Sequence, residues 1–349
     1  MGIYYDGTKL LSLPDANGNK PEIVVCVSNR SAGKTTFFNR YLVKRFLKNG
    51  EKFGILFRYK NELADCANKF FNEIGGLFFT GYTMTSKPIA GGYIAELFIH
   101  CPDNRTPIPC GYAFALNSAD KLKKFSHLLS DVNQYIFDEF QTENNLYLPD
   151  EIKKFISVHT SIARGGGSQS RFARVIMLSN TVTLLNPYFV AWGISSKMTN
   201  QNFTRGNGWV LEHNFNESAA TAQQNSIFNS AFQNEKYVEY SKENVYLNDS
   251  ESLIERPSGN SKYIATFIIK NEKIGVFEYA DAGIIYASRN IVQSCPRVLM
   301  ISNNDIDKNY LILRENKILI DLLRFYFSRG CFRFSDVQIK QHIINTLSY

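Results

Sequence analysis

The chain has 349 residues, 44% hydrophobic and 20% charged, a composition that excludes disorder and fibrous repeats and makes two domains the expectation at this length. Its 39 basic and 32 acidic residues leave a formal charge of +7 and a pI near 8.9, enough to attract a polyanion without identifying one. Six cysteines without CxxC spacing argue for reduced thiols against a disulfide framework or zinc site, and the lack of any apolar run of about 18 residues predicts a protein neither exported nor membrane-spanning.

Residues 22–28 (EIVVCVS) are a short β-branched run, as expected of a parallel strand buried on both faces. They lead through NRSAGKTT into a helix with apolar or long side chains at Phe37, Phe38, Tyr41, Leu42 and Phe46. Further strands are predicted at 52–58 (KFGILFR), 133–139 (NQYIFDE) and 173–179 (ARVIMLS), with helices near 60–74, 118–129 and 150–164 between them. This alternation predicts a wound α/β domain. Residues 77–116 interrupt it with GLFFTGY, GGYIAELFIH and GYAFALN, which predict a β-hairpin insertion. The polar text of 201–240 predicts a linker or a small helical lid. Beyond it SKYIATFIIK, KIGVFEYA and GIIYASR read as three consecutive strands, followed by RVLMIS, a helical pattern over 308–329 and a last helix near 335–347. The expected division is 1–200, a linker or lid at 201–240, and an α+β domain at 241–349.

The stretch SNRSAGKT (28–35) matches GxxxxGK[ST] except that Ser28 stands where the pattern has its first glycine. The chemistry lies in the later positions. Gly33 lets backbone amides approach phosphate oxygens, Lys34 reaches the β- and γ-phosphates, and the Thr35 hydroxyl ligates magnesium at a helix N-terminus. Ser28, Asn29, Arg30, Ser31, Ala32, Gly33, Lys34, Thr35 and Thr36 are therefore the expected nucleotide-binding residues. Asp138 and Glu139 close the run YIFDEF, where an aspartate can hold magnesium and the adjacent glutamate can polarise the attacking water. Ser179 and Asn180 end the next strand, where an asparagine can sense the γ-phosphate or mark an ordinary strand-terminating turn. Arg164, near the end of a helix and before GGGS, could serve a neighbour's nucleotide as an arginine finger. Spacing alone does not separate it from Arg171 or Arg174.

With these residues in place, the chain resembles the DNA-packaging ATPases of phi29-type podoviruses, which belong with terminase large subunits. The matching stretches are SNRSAGKT, FLKNGEKFGILFRYKNELA, YIFDEF, YLPDEI and LSNTVTLLNPYF, in order and covering most of residues 20–190. The resemblance implies a P-loop NTPase domain of the ASCE, RecA-like kind followed by a vestigial ribonuclease-H-like nuclease domain. It further implies ATP and Mg2+ as cofactors and a homo-oligomeric, five-membered ring at the procapsid portal in the host cytoplasm. The implied partners are double-stranded DNA, the portal and a packaging RNA, with no membrane. Carried over by motif, Arg164 matches the trans-acting finger, and a trans-acting lysine falls at Lys123 or Lys124. Arg58 and Lys60 are candidates for DNA phosphate contacts, since a motor that moves any sequence needs charge without base reading. Only Asp281 and Asp305 lie near the later strand ends, so nuclease activity is not expected. A cleaving terminase and a nucleotide-gated DNA-binding regulator are the alternatives. Departures from the pattern are Ser28, the GGGS insertion and Gln134, a polar residue in an otherwise apolar strand.

Overall fold

The computed structural model describes residues 4–143, 146–164, 169–183, 186–194, 202–231, 253–269, 272–300, 311–312 and 316–347. Asp305 and the GGGS of 165–168 lie outside them, as does most of the polar stretch beyond residue 231. The chain divides into two units, Met1–Asn248 and Asp249–Tyr349.

A short helix, α1 (Thr8–Ser12), precedes β1 (Ile23–Ser28), whose side chains alternate between two cores. Val24 and Cys26 join Phe38, Leu42 and Phe46 on one face of the sheet, while Val25 and Val27 join Phe137, Tyr188 and Trp209 on the other. Burial on both faces is why the run carries no polar alternation. The helix α2 (Lys34–Asn49) buries Phe38, Leu42, Val43 and Phe46, a stripe at helical spacing, and ends at Gly50, whose φ of 71° and N–H bond to the Phe46 carbonyl make a left-handed cap. Then come β2 (Phe53–Phe57) and α3 (Cys66–Phe78).

Residues 83–115 form an antiparallel meander, β3 (Thr83–Ile89), β4 (Ile94–His100) and β5 (Ile108–Ala115), whose last strand pairs in parallel with β2. The expected hairpin is therefore three strands, and GLFFTGY supplies none of them. Its first residues extend α3 and the remainder turns the chain, while the outer strand is the polar TMTSKPI. An edge strand needs neither an apolar face outward nor every N–H, which is why Pro88 is accepted there.

A short α4 (Ala119–Leu122) and 3-10 turns to Leu129 lead to β6 (Gln134–Asp138), α5 (Glu151–Ile162), β7 (Arg174–Asn180) and α6 (Pro187–Trp192). Residues 203–214, expected in a linker, instead form β8 (Phe203–Gly206) and β9 (Trp209–Asn214), and β9 pairs in parallel with β1. Buried Trp209, Val210 and Leu211 draw this segment onto the sheet despite its polar flanks. Two short helices follow, α7 (Glu217–Gln224) and α8 (Ile227–Ser230). The nine strands run β3-β4-β5-β2-β6-β7-β1-β9-β8, so β7 lies between the P-loop strand β1 and the Asp-Glu strand β6. All three carboxyl ends thus converge at one edge, where ligands of open α/β sheets bind.

In the second unit β10 (Lys262–Ile269), β11 (Glu272–Tyr279) and β12 (Ile284–Ser288) are the three consecutive strands expected, and they pair antiparallel. Strands β13 (Val298–Met300) and β14 (Leu311–Ile312) extend it in parallel beyond β10, and β15 (Phe332–Phe334) pairs with β12. Helices α9 (Lys317–Ser328) and α10 (Val337–Leu347) supply Leu319, Leu323, Ile339 and Ile343 to its core. Asp281 sits in the exposed 3-10 turn between β11 and β12. Among the described residues no helix is long and apolar enough to cross a membrane.

Candidate active site

The loop after β1 turns on two left-handed residues, Ser31 (φ 60°) and Gly33 (φ 91°), which aim successive backbone N–H groups into one concavity. Ser28 is fully buried at the strand end, and its hydroxyl donates to the Asn29 carbonyl at 3.1 Å. It thus serves the loop's own backbone and leaves the phosphate-facing positions alone. Asn29 exchanges two hydrogen bonds with the backbone of Asn216, at 2.9 and 3.1 Å, and Gln223 donates to Ser31 Oγ at 3.2 Å. The start of α7 therefore latches the loop from a segment nearly 190 residues away. Arg30 forms an ion pair with Glu143 beside it.

Lys34 is 7% exposed and its ammonium reaches the carbonyls of Ser28 and Asn29 and, at 3.2 Å, Asn180 Oδ1. Burial depresses its pKa, opposed by the Cys26 thiol and the Asp138 carboxylate. Thr35 Oγ1 donates to Asp138 Oδ2 at 2.7 Å, which joins the helix start to the end of β6 and sets two oxygens side by side, of the kind that hold a hard divalent cation. Burial raises the Asp138 pKa, with the Thr35 hydrogen bond and Lys34 acting against it. Glu139 follows in a left-handed conformation (φ 54°), its N–H bonded to Asp138 Oδ1 at 2.9 Å. Its pKa is raised, first by burial and then by the charges of Asp138 and Glu143. A non-glycine residue held at positive φ costs on the order of 1–3 kcal/mol, a strain typical of functional turns.

Arg58 is not a surface group for DNA. It is 7% exposed, its guanidinium reaching Glu151 at 3.1 Å and the carbonyls of Glu139 and Phe140 at 3.1 and 2.6 Å. Tyr188 donates to the same Glu151 carboxylate at 2.8 Å. A buried guanidinium without such partners would carry a heavy desolvation cost, so the residue is committed to this network. Lys60 is half-buried, with its ammonium 3.9 Å from the centre of the Tyr93 ring.

Arg164 is exposed just beyond α5. Glu151, at the other end of that 12-residue helix, is tied through Arg58 to the Asp138-Glu139 turn, so the helix length of about 18 Å separates Arg164 from its own chain's site. Arg171 is bound to the carbonyls of Leu129, Val132 and Ile162, and Arg174 is buried at the start of β7. These positions separate the three arginines that spacing did not. Lys123 pairs with Asp120 at 3.1 Å, and Lys124 is exposed.

A cavity of about 730 Å³ opens over Lys34, Thr35, Asp138, Glu139 and Asn180. Its far wall is apolar, with aromatic Tyr4 and Phe78 beside Leu77, and the Arg40 guanidinium stacked 4.1 Å from the centre of the Phe78 ring. The Tyr5 N–H binds the Ala32 carbonyl at 2.9 Å and holds the N-terminal segment against the loop. Sequence reasoning missed this wall; its traces were the YY pair at the N-terminus and the apolar end of α3. Volume, donors and an apolar face suit a nucleotide with its phosphates on the loop.

The converging strand ends, the phosphate loop and the Asp-Glu pair define a P-loop ATPase. The family model described as podovirus DNA encapsidation protein (Gp16) matches residues 1–347, and the chain belongs to that family. It is an ATPase of viral DNA packaging. The DNA packaging protein of Bacillus phage B103 is 25% identical over 327 residues, 93% of this chain and 94% of that one. That of Bacillus phage phi29 is 25% identical over 342 residues, covering 97% and 95%. Among solved structures, the bacteriophage Phi-29 genome packaging motor assembly aligns over 99% of this chain and 98% of the other at TM-score 0.66 and 22% identity. The Phi-28 gp11 DNA packaging motor aligns over 100% and 99% at TM-score 0.64 and 14% identity, and both likenesses concern the fold.

Proposed function

We propose that this chain hydrolyses Mg·ATP at the cavity over Lys34 and that a ring of its copies uses the cycle to drive double-stranded DNA through the portal into a procapsid in the host cytoplasm. The observation that carries the reading is the 2.7 Å bond between Thr35 and Asp138, with Glu139 next in the chain. The loop amides of residues 31–34 bind the phosphates and Lys34 balances their charge. Thr35 and Asp138 would hold a magnesium ion, which would supply charge neutralisation for the reacting phosphates. Glu139 orients the attacking water and accepts its proton, and Asn180, linked to Lys34, faces the γ-phosphate end. Tyr4 and Phe78 flank the base.

Arg164 and one of Lys123 and Lys124 act on the adjacent subunit, because the fold carries Arg164 away from its own site. A ring of five is the expected assembly. The second unit, 249–349, is assigned to DNA, portal and packaging-RNA binding without cleavage. The residues that touch DNA are left to surfaces other than Arg58. Procapsids, DNA and ATP supplied together test the reading: Lys34→Ala should abolish both ATP turnover and nuclease-protected DNA. Protected DNA accumulating normally with that variant would rule it out.

A further inference from the structure

At the amino ends of β6 and β7 the sheet carries a second cavity, of about 690 Å³, lined by Lys20, Arg45, Glu51, Gln134 and Arg174. Gln134 and Asp138 bracket the five residues of β6, so about 13 Å of strand separates this cavity from the magnesium ligands. It is not an extension of the nucleotide site.

The chemistry of its wall is unbalanced. Arg174 is 6% exposed, Gln134 is 5% exposed, and the Arg174 Nε and Gln134 Nε2 donors are buried without a hydrogen-bond partner. Arg174 otherwise reaches the Leu11 carbonyl, at 3.4 Å, and the Tyr41 hydroxyl, with its guanidinium 5.9 Å from the centre of the Phe172 ring. Tyr41 and Arg45 stand four apart on α2 and so share a face. Among the described residues the one acid lining the cavity, Glu51, is already engaged by Arg45 at 2.9 Å and by Asn49 at 3.0 Å. Lys20 is exposed at the rim, and its ammonium lies 4.4 Å from the centre of the Phe172 ring, a contact that leaves its outer side open to solvent. Burial depresses the Arg174 pKa and the neighbouring Arg45 charge adds to it, a cost that an anion between the two guanidiniums would offset. Polar Gln134 in an apolar strand, a departure from pattern in the sequence, acquires a purpose as an uncharged donor beside the two cations.

We propose that this cavity is a second phosphate site, in which Arg174 Nε, Gln134 Nε2 and the Lys20 ammonium bind one phosphate group, either free or within a nucleic-acid backbone. Planar guanidinium donors with a neutral amide and a mobile ammonium match the oxygens of a tetrahedral oxyanion.

The test uses the full chain carrying Lys34→Ala, so that the P-loop does not answer for added phosphate. Inorganic phosphate at millimolar concentration should raise its Tm by about 2–4 °C, the size expected when ligand exceeds Kd roughly ten-fold. That rise should vanish with Arg174→Gln or, for a variant whose exposed position leaves folding intact, Lys20→Glu. A second arm measures binding of a short DNA duplex against salt. If the phosphate is a backbone phosphodiester, Lys20→Glu weakens binding about five- to ten-fold and lowers the salt slope by about one. Duplex binding unchanged by Lys20→Glu, with the phosphate effect lost, assigns the site to free phosphate. No phosphate-induced rise in Tm, or an equal rise in Lys20→Glu and its parent, overturns the proposal.

Discussion

The Arg58 guanidinium holds the catalytic turn from beneath, donating to the Glu139 carbonyl at 3.1 Å while Glu139 sits at a φ of 54°. The left-handed turn would otherwise relax, because nothing in its own sequence prefers that conformation. In the proposed mechanism Arg58 therefore positions the carboxylate assigned to the water, without itself lining the cavity over Lys34. Through Glu151 the same guanidinium anchors the start of α5, whose far end carries Arg164.

Arg58→Lys keeps the charge and loses the fork that reaches two carbonyls at once. We expect kcat to fall about 10–100-fold with KM for ATP within roughly two-fold, since the lost geometry matters at the reacting water rather than in binding. Steady-state ATPase assays check this. A rise in KM of that size, with kcat preserved, would place Arg58 in nucleotide binding instead.

Thr35→Val replaces a hydroxyl by a methyl of like shape and leaves Asp138 without its 2.7 Å donor. Turnover should drop by about 100-fold or more, and raising the magnesium concentration should recover part of it, because one oxygen ligand of the ion has been removed. Titration of ATPase rate against Mg2+ in both chains reads this directly. Indistinguishable magnesium curves would show that Thr35 does not hold the ion.

If Arg164 acts on the neighbouring subunit, two inactive variants should rescue one another. Arg164→Ala retains its phosphate loop, and Lys34→Ala retains its finger, so mixed assemblies contain some complete interfaces. Each variant alone should lose about 10³-fold in turnover, the size of an arginine-finger effect, while a one-to-one mixture recovers a measurable fraction. A mixture as inactive as its components would place Arg164 outside the neighbouring site.

Strands β1, β2, β6 and β7 were legible because burial on both faces writes itself as an unbroken apolar run, and the phosphate loop and Asp138-Glu139 were legible because both end such runs. Arg58 was not, since what makes it a buried strut lies in Glu139, Phe140 and Glu151, more than 80 residues away in the chain. Strand β9 was missed because only three of its six residues, Trp209, Val210 and Leu211, are apolar, although all six pair with β1. The aromatic wall of Tyr4 and Phe78 joins the N-terminus to the end of α3, a meeting that no local pattern announces.

Burial also fixes a pH dependence. His159 lies 3.0 Å from the Tyr135 hydroxyl, and burial depresses its pKa despite Glu22 at 3.5 Å. The unfolded chain, with an ordinary histidine pKa of about 6.5, then binds the proton more readily than the folded one. This contribution to stability is present above pH 6.5 and is lost as the pH falls towards the folded value. The urea midpoint should therefore fall between pH 7 and pH 5.5, and less steeply in His159→Gln. An equal slope in both chains would contradict this assignment.

In the proposed cycle Glu139 turns ATP binding over Thr35 and Asp138 into DNA movement. Glu139→Gln keeps the shape of the turn and removes the proton acceptor, so the most direct measurement follows nuclease-protected DNA in procapsids supplied with this variant and ATP. Glu139→Gln should bind ATP about as well as the unaltered chain yet protect no DNA; packaging at the unaltered rate would contradict this role for Glu139.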